Sequence, residues 1–136
     1  MEIVTACITI FGGLVLAAAT YGFTKKRERD AEWRREKLER YKAYITGLSG
    51  VIDGNRTPSS RRLYATACNE LHLFAPPAVL KRLHEFQDYI GSSNASVVLE
   101  AHDNLLTALL LEIRRDLGLK RETTENFKAR MWSSGG

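Results

Sequence analysis

The hydrophobic pattern changes character at Phe23. From Ile3 to Phe23 run twenty-one residues without a Lys, Arg, Asp or Glu, apolar on every side of a helix. At about 1.5 Å per residue such a helix reaches roughly 31 Å, close to the ~30 Å hydrocarbon core of a bilayer. The pattern predicts a membrane-spanning helix over residues 1–23. Neither Gly nor Pro appears from Thr24 to Thr46, so the helix is expected to run on. Residues 24–32 carry almost nothing apolar and read as a basic stalk. From Trp33 the apolar positions Trp33, Leu38, Tyr41, Ile45, Leu48 and Ile52 recur at three- and four-residue spacing, one stripe of an amphipathic helix.

Three more helices follow. Asp53-Gly54-Asn55-Arg56-Thr57-Pro58 reads as a turn in which Thr57 caps the next helix and Pro58 takes its first position, where a missing N–H costs nothing. Leu63, Tyr64, Ala67, Leu71 and Phe74 mark its inner face, and Pro76-Pro77 stops it near Ala75. A third helix restarts at Pro77 with Leu80, Leu83, Phe86 and Ile90 inward, ending at Gly91 before a Ser92-Ser93-Asn94 loop. The fourth, from about Ala95 to Leu117, buries Val98, His102, Leu105, Leu106, Leu109, Ile113 and Leu117. It ends at Gly118, suited to a left-handed cap, with Arg114 and Arg115 favourably placed at its C-terminus. Residues 119–136 have no period and read as a flexible polar tail with one helical turn around Phe127. The fold class expected is all-α: a single transmembrane helix continuing through a stalk into a small cytosolic four-helix bundle over residues 33–118.

Charge sets the orientation. The net charge is +4, and Thr24 to Lys42 accounts for it with nine Lys or Arg against five acids; the rest is balanced at eleven of each. Positive residues flanking a span stay on the cytoplasmic side, so the N-terminus is expected outside an inner membrane and the C-terminal domain in the cytosol. Tyr21 and Phe23 then sit at the inner interface, and Lys25, Lys26, Arg27 and Arg29 meet anionic headgroups. Basic character confined to this stretch argues against a nucleic-acid surface. A cleaved secretory signal, with Ala17-Ala18-Ala19 as its small-residue site, would need a positive n-region that Met1-Glu2 does not supply. Small residues four apart, Gly13/Ala17 and Ala18/Gly22, form a face through which two such spans could associate.

Candidate chemistry is sparse. Cys7 falls in the span and Cys68 in a helix of the cytosolic part, so no disulfide is expected. His72, His84 and His102 come from three helices, but none shows the i, i+4 spacing of a zincin or the Glu-x-x-His of a di-iron bundle. His102 lies on the apolar stripe as a hydrogen-bonded core residue, while His72 and His84 cover helix edges. There is no glycine-rich phosphate loop, and no spacing sets Cys68 or a serine beside a histidine base and an acid. The expectation is no catalytic residue, no cofactor and no metal.

The closing segment Leu110-Leu111-Glu112-Ile113-Arg114-Arg115-Asp116-Leu117-Gly118 and the step Leu73-Phe74-Ala75-Pro76-Pro77-Ala78-Val79 carry a resemblance. The layout and these two segments resemble a loose group of small, uncharacterised bacterial and phage-associated single-pass membrane proteins. Their bundles end in a Leu/Met-Arg-Lys/Arg-Asp-Leu-Gly pattern and break a helix at an aromatic-Gly-Ser-Pro-Glu-Val step. Here Ala75-Pro76 stands where Gly-Ser is usual. The resemblance implies the layout and no activity.

The functional expectation is therefore a membrane-anchored interaction or scaffold module that binds a protein partner or itself. Arg114, Arg115 and Asp116 are a candidate partner patch, set against the plainer role of Asp116 anchoring another helix. The alternative is a small membrane-acting component of a phage or anti-phage system, working through self-association in the bilayer.

Overall fold

The computed structural model describes residues 1–52, 57–92, 99–120 and 125–131. Among them the chain is helical, with α1 (Glu2–Ile52), α2 (Pro58–Leu71), α3 (Pro77–Ser92) and α4 (Leu99–Asp116), and no strand. Two compact units are formed, Met1–Glu36 and Lys37–Gly136, and α1 contributes to both.

In the first unit the apolar side chains are exposed all round α1, among them Ile3, Phe11, Leu14, Val15 and Phe23. Its polar side chains are treated differently. The hydroxyls of Thr5, Thr9, Thr20 and Thr24 each donate to the carbonyl four residues earlier, at 3.1, 2.8, 2.8 and 2.9 Å. Each donor thus finds its acceptor inside its own helix.

The second unit has one core. α1 contributes Tyr41, Tyr44 and Leu48; α2 contributes Ala67, Cys68 and Leu71; α3 contributes Val79, Leu83 and Phe86; α4 contributes Leu106, Leu109 and Ile113. The buried face of α1 is centred on Tyr44, which the predicted stripe passed over in favour of Ile45. Leu38 lies about a third of a turn from that face and is 40% exposed. Trp33 lies on it, but about three turns before Tyr44, and is 52% exposed. The packed unit accordingly begins at Lys37 rather than at Trp33.

Gly47 sits where α1 and α2 approach closely. A Cβ added there would lie 3.0 Å from the Tyr64 Cα and 3.3 Å from its backbone nitrogen. Helix backbone cannot yield as a side-chain tip can, so glycine is what permits this crossing. The N-terminus of α2 follows the sequence reading. Thr57 is extended (φ −77°, ψ 155°), its hydroxyl accepts the Ser60 N–H at 3.1 Å, and Pro58 opens the helix. The regular helix ends at Leu71, earlier than the Ala75 expected, because the chain tightens first: Phe74 N–H and Ala75 N–H both donate to the Leu71 carbonyl, at 3.3 and 2.8 Å. Leu63, expected inward, is exposed, and Cys68 takes the buried place beside Ala67. On α3 Val79 is buried and Leu80 only half-buried. α4 closes as predicted. Gly118 has φ 74°, with its N–H donating to the Arg115 carbonyl and the Leu119 N–H to the Arg114 carbonyl, both at 3.0 Å. This is the paired Schellman arrangement. The expected 53–56 turn, the start of α4 at Ala95 and its inward Val98 lie outside the described residues.

The tail departs from expectation. Residues 125–131 pack on the bundle: Ala129 is buried, Phe127 and Met131 lie against the core, and the Ala129 N–H donates to Thr107 Oγ1 at 2.9 Å. The Thr107 hydroxyl in turn donates to the Asp103 carbonyl at 2.6 Å. Three apolar contacts in a polar stretch leave no periodic signal, yet with one satisfied N–H they dock it.

Two glycines separate close approach from helix propensity. Gly47→Ala is expected to lower bundle stability by about 1–3 kcal/mol through overpacking. Gly50→Ala meets only Ser60 Cβ, at an ordinary 3.5 Å, and is expected to raise stability by up to about 1 kcal/mol through propensity. Thermal unfolding of the two variants checks this; a stabilising Gly47→Ala would show that α1 and α2 are not in contact there.

Candidate functional site

Three places are candidates for a functional role: the apolar segment with its collar, the end of α4, and a groove beside it. By length and composition the first part of α1 is long and apolar enough to cross a membrane, and none of its apolar window is buried by protein. That is not the condition of a core helix, whose apolar window is covered by its neighbours. Tyr21 and Phe23 are exposed, as are Lys25, Lys26, Arg27 and Arg29. Lys25 reaches back one turn, its Nζ 5.7 Å from the centre of the Tyr21 ring, a cation–π contact at the boundary of apolar and charged sequence. The face bearing Gly13, Ala17, Ala18 and Gly22 is exposed, and a Cβ added at Gly13 or Gly22 would meet nothing within 4 Å.

Arg114, Arg115 and Asp116 do not form one outward patch. Asp116 turns to α1, accepting from Lys37 Nζ at 2.8 Å on one carboxylate oxygen and from the Tyr41 hydroxyl at 2.7 Å on the other. Lys37 and Asp116 keep only 15% and 12% side-chain exposure. Arg115 bonds both carboxylate oxygens of Glu112 at 3.0 Å, and the Arg114 guanidinium lies 5.0 Å from the centre of the Phe127 ring. Consecutive positions on a helix diverge by about 100°, and here each found a different neighbour. The anchoring role weighed for Asp116 is the one the geometry displays.

Sequence reasoning did not single out Lys37 or Tyr41 as the partners of Asp116. They lie four apart on α1 and so share a face, but nothing in the chain tells which acid they meet. Beside this ion pair an open, largely apolar groove of about 410 Å³ runs between Leu38, Tyr41 and Ile45 on one side and Ile113 and Leu117 on the other, with Lys42 at its rim.

The histidine expected in the core, His102, is half-buried, edge-on to Phe86 at 5.1 Å, with Nδ1 3.4 Å from Asp103 Oδ1. Inside the bundle Tyr44 and Tyr64 pack ring to ring at 5.8 Å, and the hydroxyl oxygen of each is buried without a hydrogen-bond partner. Burial above all pushes both phenols up, with the neighbouring Tyr64 adding to it for Tyr44 and Cys68 for Tyr64. Burial first, then the bond to Asp116, does the same for Tyr41, and burial raises the Cys68 thiol. Such groups favour the neutral, inert form; none is poised as a nucleophile or base.

No family model matches this chain, and neither the curated proteins nor the solved structures yield a match.

Two outcomes follow from these contacts. Tyr41→Phe should cost about 1 kcal/mol and Asp116→Asn about 2, since each breaks a charge-assisted bond, whereas Tyr44→Phe removes a hydroxyl with no partner and should be neutral or stabilising. Chemical denaturation of the three variants decides it, and a Tyr44→Phe loss as large as that of Tyr41→Phe would mean the Tyr44 hydroxyl is bonded.

The second outcome is alkaline lability. With the folded-state phenols and thiol raised, the native bundle holds protons that the unfolded chain releases near 9.0 for cysteine and 10.0 for tyrosine. Their contribution is fully present below those values and is lost as pH rises above them. The melting temperature should be level up to about pH 9 and fall beyond it, less steeply in Tyr44→Phe; a flat profile to pH 11 would contradict the burial.

Proposed function

We propose that this protein is a membrane-anchored helical interaction module, with α1 fixing it in the bilayer and the bundle presented at the cytosolic face. The observation that carries the reading is the exposed apolar length of α1, none of which is buried among the described residues. An apolar helix of that extent is costly in water and stable in hydrocarbon. The internally bonded threonines support the same environment, because a hydroxyl in hydrocarbon has no water to bond and must find its acceptor in the protein. The basic run from Lys25 supports the orientation, N-terminus out and bundle in. The lipid-side partner is then the bilayer with its anionic headgroups, and the soluble-side partner a protein. An interaction role for the bundle draws on the apolar groove beside Ile113 and Leu117 and on exposed Leu63 and Leu73. The layout resembling small single-pass bacterial and phage-associated proteins fits this reading and brings no chemistry with it.

Membrane extraction and a topology reporter test it together. The full chain should stay in the membrane pellet after alkaline carbonate, at full length, with a reporter fused after Gly136 active in the cytosol. Release into the supernatant, shortening by cleavage near Ala19, or an exported reporter would each overturn it. The same strain separates anchor from actor. If Gly13→Leu/Ala17→Leu abolishes the phenotype while the bundle stays folded, the small-residue face acts in the bilayer and the module is not a passive tether.

A further inference from the structure

His72 and His84, read from sequence as edge residues, meet across the Pro76–Pro77 break. His72 caps the C-terminus of α2 and His84 lies in α3. Their Nε2 atoms are 3.0 Å apart, the rings nearly parallel (27°) with centres 5.3 Å apart, and both side chains are exposed. The other nitrogen of His72, Nδ1, lies 3.0 Å from the Cys68 carbonyl. A carbonyl only accepts, so the His72 proton resides on Nδ1 and its Nε2 presents a lone pair to His84.

We propose that this pair is a binding site for a divalent transition-metal ion of the imidazole-preferring class, Cu²⁺, Ni²⁺ or Zn²⁺. Metal–imidazole bonds are about 2.0–2.1 Å, so two nitrogens in adjacent positions of one ion lie about 2.9 Å apart at a right angle and about 3.4 Å apart in a tetrahedron. The observed separation is that of a hydrogen bond, and ring centres 5.3 Å apart place the two Nε2 atoms head-on, so the exposed rings must turn for both lone pairs to meet on one ion. The Nδ1–H bond to a backbone carbonyl is the outer contact that orients a metal-binding histidine and fixes its tautomer. Without an ion, His84 Nε2–H donates to His72 Nε2; with one, the His84 proton moves by way of water to the Nδ1 of the same exposed side chain, and both Nε2 lone pairs turn to the metal. Among the described residues no group of three or more His, Cys, Asp or Glu stands close enough to share an ion. The site is therefore an open one, completed by water, that staples the end of α2 to α3.

Titration of the full chain in detergent or nanodiscs, carrying no histidine tag, tests this with Cu²⁺, Ni²⁺ and Zn²⁺ chlorides. Wild type should bind one ion saturably and melt at a higher temperature with it. His72→Ala or His84→Ala should each weaken binding about tenfold or more and cancel the rise in melting temperature, and His102→Ala should do neither. His72→Gln and His84→Gln, with helicity checked by circular dichroism, stand in for any Ala variant that loses its fold. Absence of saturable binding at millimolar ion, a loss seen at only one of the two histidines, an equal loss in His102→Ala, or undiminished binding by the double variant would each overturn the site.

Discussion

The second unit depends on how closely α2 can lie against α1. At Gly47 the α2 backbone passes within van der Waals range of where a side chain would begin, and the Tyr44 ring beside it packs on Tyr64. With α1 and α2 held that near, Leu48 and Leu71 are shut away from water, and α3 and α4 close the remaining sides with Leu83, Phe86, Leu106 and Leu109. The buried hydroxyls of Tyr44 and Tyr64 are what that approach leaves behind: the rings fill the space, and their polar tips are left without partners.

A second constraint ties the last helix to the first. Asp116, at the end of α4, is held by Lys37 and Tyr41. A carboxylate with so little exposure has lost much of its hydration, and the ammonium and hydroxyl restore it. The ion pair fixes the register of α4 on α1, and the Schellman cap at Gly118 turns the chain away immediately after it. The docked stretch around Ala129 extends the cover over α4 through the Thr107 hydroxyl, which accepts from one backbone group and donates to another.

The first unit obeys a different rule. Among the described residues none buries its apolar side chains, which are exposed all round the helix. What it shares with the bundle is the satisfaction of polar groups, achieved here within a single helix by four threonines. One helix, α1, thus carries two kinds of sequence: a segment apolar all round, and one whose apolar residues keep to a face.

Length and uninterrupted hydropathy are local properties, so the sequence by itself determined that Ile3–Phe23 is helical and long enough to span a bilayer. Cap chemistry is equally local, and for the same reason Thr57-Pro58, the Pro76-Pro77 break and Gly118 were legible, as were Leu48, Leu71, Leu83 and Leu109 as core. The rotation of each helix about its axis was not. Ile45 and Tyr44 are both apolar and one residue apart, and only the position of α2 selects Tyr44. Nor could the sequence decide which residues distant along the chain meet: Asp116 with Lys37 and Tyr41, Ala129 with Thr107, His72 with His84. Those pairings depend on the packing of whole helices, where many weak contacts choose one arrangement, and the tertiary structure alone decided them.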